Sequence, residues 1–195
     1  MNELDRMITE AGDADEIAGY LDGLEGPARL AAVRGLAGRS LGALFERCGE
    51  RPLSVDHLVP AALADGVEVR HLGINSMPLF RCFEKRFVRA PHGSAPEGRL
   101  WGYNHQAMQA FTGPGYFFVD PPAAGSELVI DYHEVPSVSP RDDWPAVRDN
   151  EGFPSSLVYG FMRDGMRRVN ADVCVGRACR RGKQMNTWFA LVREA

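Results

Sequence analysis

The hydrophobic positions change period along the chain. Over the first fifty residues they recur at three- and four-residue intervals: Ile17, Tyr20 and Leu21, then Leu30, Val33, Ala37, Leu41, Leu44 and Phe45. That spacing lines one face of a helix. Asp13 or Asp15 offers a cap for the first helix, and Gly26-Pro27 breaks the chain, with Pro27 suited to the first turn of a second. Gly35, Gly38 and Gly42 weaken this second helix, so it needs a surface to lean on. Gly49 and Pro52 end it.

From residue 67 the period shortens to two. Residues 67–72 (VEVRHL) alternate and read as a strand. In the stretch that follows, Ser76 ahead of Pro78 resembles a helix start, and Phe80, Phe83 and Phe87 recur every three or four residues. Arg81, Lys85 and Arg86 fall between them, so a helix is expected near 77–88. Beyond Gly98 strands are expected at 99–106, 115–120, 127–135, 156–169, 172–180 and 186–194. Turn-forming clusters such as Thr112-Gly113-Pro114-Gly115, Asp120-Pro121-Pro122 and Arg181-Gly182-Lys183 separate them. Gaps this short suit antiparallel neighbours. Four prolines between 136 and 154 mark a long loop.

Several strands are apolar on both faces, as in Phe117-Phe118-Val119 and Leu128-Val129-Ile130. One face must then meet a core or cavity and the other must meet the helices. The expected fold is α+β: a helical segment over 1–50, then a strongly curved antiparallel sheet or closed β-barrel over 65–195 with the helices packed outside. At 195 residues, one domain is the default.

Composition narrows the function classes. A hydrophobic fraction of 45% with 25% charged residues suits a chain with a proper core. A net charge of −4 and a pI near 5.7 speak against nucleic acid as a partner. Charge is uneven, however. Residues 1–25 carry eight acids against Arg6, while 163–183 hold six arginines and Lys183 against Asp164 and Asp172. These are two faces that attract each other within the molecule, or else the basic stretch rims a site for an anionic ligand. Cys48, Cys82, Cys174 and Cys179 have neither zinc spacing nor a CxxC pair, so free thiols in a reducing compartment are expected. The start of the chain has no signal-peptide core and no run is long enough to span a membrane, which predicts a cytoplasmic protein.

Strand parity supplies the candidate chemistry. Trp101, Tyr103 and His105 share one face of 99–106, either lining a cavity or forming a half-wet outer face. Asp131 and His133 share a face of 127–135, where a histidine beside a carboxylate can act as a base near neutral pH. Tyr159, Phe161 and Arg163 share parity further on, and a cavity-facing arginine would bind a carboxylate or phosphate; as surface arginines, Arg163, Arg167 and Arg168 would do neither. No Gly-x-Ser-x-Gly elbow or phosphate-binding loop occurs.

The stretch GFMRDGMRRVNADVCVGRACRRGKQMNTWFALVRE (160–194) resembles the closing strands of lipocalin-like (calycin) barrels. The RLWGY segment (99–103) is similar to the Gly-x-Trp signature of that superfamily, although here the tryptophan lies in mid-chain and a helical segment precedes the strands. The resemblance covers about the last hundred residues and implies a barrel around an apolar or amphipathic ligand. Together these readings predict a non-covalent small-molecule binder lined by Trp101, Tyr103, His105, Tyr116, Phe118, Tyr159 and Arg163. The competing reading is a cofactor-independent cyclase, isomerase or dehydratase that uses His105, Tyr103, Asp131 and His133. Neither implies a metal or cofactor, and a homodimer is compatible with both.

Overall fold

The structure, a computed structural model, describes residues 2–10, 12–78, 81–93 and 96–194. Its centre is a closed barrel of eight antiparallel strands in chain order. These are β1 (Val69–Asn75), β2 (Cys82–Arg89), β3 (Leu100–His105), β4 (Phe117–Val119), β5 (Leu128–Asp131), β6 (Met162–Arg168), β7 (Val173–Arg180) and β8 (Lys183–Arg193). Each strand pairs with the next, and β8 returns to β1 with Gly73 opposite Leu191. Closure leaves no exposed sheet edge.

Inward positions alternate with outward ones along every strand. Phe83, Phe87, Leu100, Phe117, Leu128, Ile130, Met166, Phe189 and Leu191 meet in the interior. Glycines opposite large rings make this packing fit. A Cβ on Gly102 would run into the Phe117 ring, and one on Gly176 into the Phe189 ring.

The helix expected near 77–88 is instead β2, paired with β1 and β3 over residues 82–89. Phe83, Lys85 and Phe87 turn inward while Glu84 and Arg86 bind each other outside. The phenylalanine spacing imitated a helical stripe, but the pairing partners on both sides decide for a strand. Phe80 lies outside the described residues. The strand expected from 156 begins later, after a 3-10 turn at Ser155–Leu157.

Ahead of the barrel come α1 (Glu3–Thr9), α2 (Ala14–Asp22), α3 (Gly26–Arg34) and α4 (Gly38–Arg47). Asp13 caps α2 in a reciprocal box with Glu16. The single helix expected from Pro27 to Phe45 is divided into α3 and α4 by Gly35-Leu36-Ala37. The restart at Gly38 presses against Ser76, where a Cβ would sit 2.9 Å from the carbonyl oxygen. Leu4, Ile8, Ile17, Leu21, Leu41 and Leu44 pack on outward Ile74, Val173, Val175, Ala190 and Val192. Thus β7 and β8 carry apolar residues on both faces, because helices cover their outside.

A short α5 (Val55–Leu58) and its flanks stopper one end of the barrel, here the lower end. Leu53, Val55, Leu58 and Val59 join the interior cluster, and His71 Nε2 donates to the Leu58 carbonyl at 2.9 Å. The loop over 136–154 folds across the outside of β3 and β4, where Trp144 packs on Tyr103 and Tyr116. The acidic N-terminal segment and the 163–183 basic segment make no ion pair with each other among the described residues; Asp15 binds Arg51, and Arg29 binds Asp172.

Candidate functional site

The most unusual chemistry lies inside the barrel, toward its upper end. Lys85 is the middle inward residue of β2, and its register partner on β3 is Asn104. The Lys85 ammonium donates to Asn104 Oδ1 at 2.8 Å and to the Tyr132 hydroxyl, and it lies 3.5 Å from Asp164 Oδ2. The Tyr132 hydroxyl in turn donates to Asp164 Oδ2 at 3.2 Å. Asn104 is fixed by its own Nδ2, which donates to the Gly115 carbonyl at 2.9 Å. Around the ammonium stand the rings of Phe117, Tyr132, Phe189 and Phe83, with centroids at 4.9, 5.1, 5.2 and 5.7 Å.

Burial governs the electrostatics of this cluster. It pushes the Lys85 amine down and the Asp164 carboxyl up, and each charge partly opposes the shift in the other. Burial, with Asp164 nearby, drives Tyr132 well above the ordinary phenol value, so it stays a proton donor. Above the cluster, Tyr159 stacks on Tyr132 with centroids 5.7 Å apart and planes 14° from parallel. Gln106 Nε2 holds the Tyr159 hydroxyl at 2.7 Å. The Tyr159 ring also lies against Gly115, whose φ of +56° and lack of Cβ permit the approach.

The residues expected to line the cavity divide between the two faces. Trp101, Tyr103 and His105 point outward, because Leu100, Gly102 and Asn104 take the inward parity of β3. Tyr103 and Tyr116 form an aromatic seam under the covering loop, where the Tyr116 hydroxyl donates to the Pro145 carbonyl at 2.6 Å. Trp101 and Phe118 meet edge to face outside, with the Arg99 guanidinium over Phe118. Arg163 is also external: its Nε donates to Asp131 Oδ2 at 2.7 Å, and His133 Nδ1 meets Asp131 Oδ1 at 2.7 Å. Of the expected lining, Tyr159 alone reaches the interior cluster. The His105/Tyr103 and Asp131/His133 pairs do not share a cavity with each other or with the interior.

Lys85, Asn104, Tyr132 and Asp164 were not among the expected site residues. A signal for the first was present in the composition: the chain has two lysines against twenty arginines. A residue type used so sparingly, flanked by alternating phenylalanines, marks a position where an amine is wanted and a guanidinium is not.

At the lower end a groove of about 1080 Å³ runs between residues 49–57 and 122–127, with Leu53 and Met166 at its floor and Arg51, Arg167 and Arg168 along it. Arg51 is engaged by Asp15, and Arg167 by Glu127 at 3.3 Å and by the Phe45 ring. No helix among the described residues is long and apolar enough to cross a membrane. Compared with family models, curated proteins and solved structures, the chain matches none.

Proposed function

We propose that the barrel holds a small apolar or amphipathic molecule whose polar end lies against Lys85, Asn104, Tyr132 and Asp164. The observation that carries this reading is the lysine–carboxylate pair buried among aromatic rings. Desolvating two such charges costs several kcal/mol per ion, and an apolar pair would fill the same space at less cost. A ligand's carbonyl, carboxylate or hydroxyl oxygen would accept from the ammonium in place of the 3.5 Å contact to Asp164. The rings of Phe83, Phe117 and Phe189 would supply an apolar wall. The interior is closed by its own side chains, with Lys85 2% exposed, so entry would require Tyr159 to leave its stack on Tyr132 at the upper end. Phe111, Phe153 and Leu157 flank that end, with Phe153 80% exposed and Leu157 61% exposed, and they suit the passage of an apolar molecule. Eight strands closed in chain order are also the arrangement of lipocalin barrels, which supports the likeness drawn from residues 160–194.

Native mass spectrometry of the freshly purified protein tests this reading. The expected result is a non-covalent adduct that Tyr159→Ala, or the double replacement Lys85→Met with Asp164→Leu, diminishes. A bare 21.5 kDa mass, together with no calorimetric response to medium-chain fatty acids, alcohols or aldehydes, would overturn it.

A second reading, a cofactor-independent isomerase, cyclase or dehydratase, is favoured by one observation. The Tyr132 hydroxyl is hydrogen-bonded between an ammonium and a carboxylate, an arrangement suited to handing a proton to a bound carbonyl. On this reading Tyr132→Phe removes turnover and leaves the adduct in place.

A further inference from the structure

We propose that Lys85 captures its ligand covalently and reversibly, condensing with an aldehyde or ketone to form a Schiff base within the barrel. This inference rests on the binding reading above and names its substrate class as carbonyl compounds.

Three observations converge on it. The first is residue choice. Elsewhere the chain holds buried cationic positions with arginine, as at Arg99, whose fork binds Asp120 at 2.7 and 2.9 Å and Glu134 at 2.8 Å. Only in the barrel interior is the buried cation a lysine, and an amine can add to a carbonyl carbon where a guanidinium, charged throughout the accessible pH range, cannot. The second is the placement of proton carriers. Asp164 lies 3.5 Å from Nζ, and the Tyr132 hydroxyl touches both groups. The third is the cage of Phe83, Phe117, Phe189 and Tyr132, whose rings close round Nζ and keep water from it. Burial favours the uncharged amine that must attack, in the same direction as the geometry.

The chemistry balances without an outside reagent. Lys85 gives one proton to Asp164 and its freed lone pair forms the C–N bond as the carbonyl π pair moves to oxygen. That oxygen takes a proton from Tyr132, and Tyr132 recovers one from the nitrogen. The resulting hydroxyl then takes the Asp164 proton and leaves as water while the nitrogen lone pair closes the C=N bond. The sum is one ammonium and one carbonyl giving one iminium ion and one water. The positive charge sits beside the Asp164 carboxylate at the start, as the ammonium, and again at the end, as the iminium ion; between the two both groups are neutral.

Reductive trapping of the full chain tests the proposal. The protein is incubated with benzaldehyde or hexanal, reduced with sodium borohydride, digested and mapped by mass spectrometry. Lys183 is the only other lysine, and it is exposed at the β7–β8 turn, so it serves with the α-amine as an internal control. Lys85 is expected to carry most of the label and Lys183 little, because burial favours the free amine at residue 85. Tyr132→Phe and Asp164→Asn should slow labelling at residue 85 and leave Lys183 unchanged. Labelling of Lys183 with Lys85 untouched, in protein whose native mass spectrum shows the aldehyde bound, would overturn the Schiff base and leave the binding reading standing. No bound aldehyde before reduction and no label at Lys85 would overturn both. Mapping of the unaltered chain decides between these outcomes even if a variant fails to fold.

Discussion

Lys85 and Asp164 face each other across the barrel, and neither is tolerable there alone. Asp164→Asn leaves an ammonium in an aromatic cage without its carboxylate, which should cost about 3–5 kcal/mol. The double replacement Lys85→Met with Asp164→Leu removes both desolvated charges and should recover most of that loss. Urea unfolding of the three proteins measures the difference. His71 offers a second residue-scale prediction. Burial holds it down to about 4 from an ordinary 6.5, with Nε2 committed to the Leu58 carbonyl. The folded state therefore keeps a neutral ring where the unfolded chain would bind a proton. Its contribution is intact above pH 6.5 and is lost as pH falls from there through 4, amounting to about 3 kcal/mol at most. His57, pushed down to about 4 chiefly by burial, loses stability in the same window. The fall in unfolding free energy between pH 7 and 4.5 should be shallower in His71→Leu than in the unaltered protein. A curve of equal steepness would mean that His71 is not held neutral.

Among the elements, glycine substitutions separate helix from barrel. Gly19 lies within α2 with open space at its Cβ position, so Gly19→Ala should raise stability by about 0.5–1 kcal/mol through helix propensity. At Gly102, in β3, an added methyl meets the Phe117 ring and the Arg86 carbonyl. Gly102→Ala should therefore lower stability by at least about 1–3 kcal/mol. Thermal unfolding of the two variants should move in opposite directions. The same contrast explains why α2 was legible from sequence and β2 was not. Asp13, Glu16, Ile17 and Leu21 are local signals whose effects act within three or four residues. The spacing of Phe80, Phe83 and Phe87 fits a helix locally. It becomes a strand because β1 and β3 supply hydrogen-bond partners from sequence positions up to 21 residues away, as Glu84 is from His105.

For the whole molecule, the helical segment completes the barrel's outer surface. Ile74, Val173, Val175, Ala190 and Val192 face outward and are buried only because α1 to α4 lie over them. Burial of each large aliphatic side chain is worth about 1.5–3 kcal/mol. A chain beginning at Leu53 keeps the lower stopper and loses this cover. It should be found in the insoluble fraction or bind a hydrophobic dye with a lowered melting temperature; a soluble monomer of unchanged melting temperature would show that the helices are dispensable.

The amino-acid sequence by itself determined the helical front, the run of antiparallel strands behind it and the two-faced apolar character that requires both an interior and a covering layer. Those properties follow from short-range periodicity, capping and turn chemistry, which are written in neighbouring residues. The direction each strand faces was decided only when the barrel closed. Tyr103 and Asn104 are adjacent in the chain and lie on opposite sides of the wall, and alternation is equally well satisfied by either assignment. Register with β2 and β4 turned Asn104 inward to Lys85 and left Tyr103 under the loop. The interior cluster joins Lys85, Asn104, Tyr132 and Asp164 from four strands or strand ends, so its geometry is a consequence of tertiary pairing.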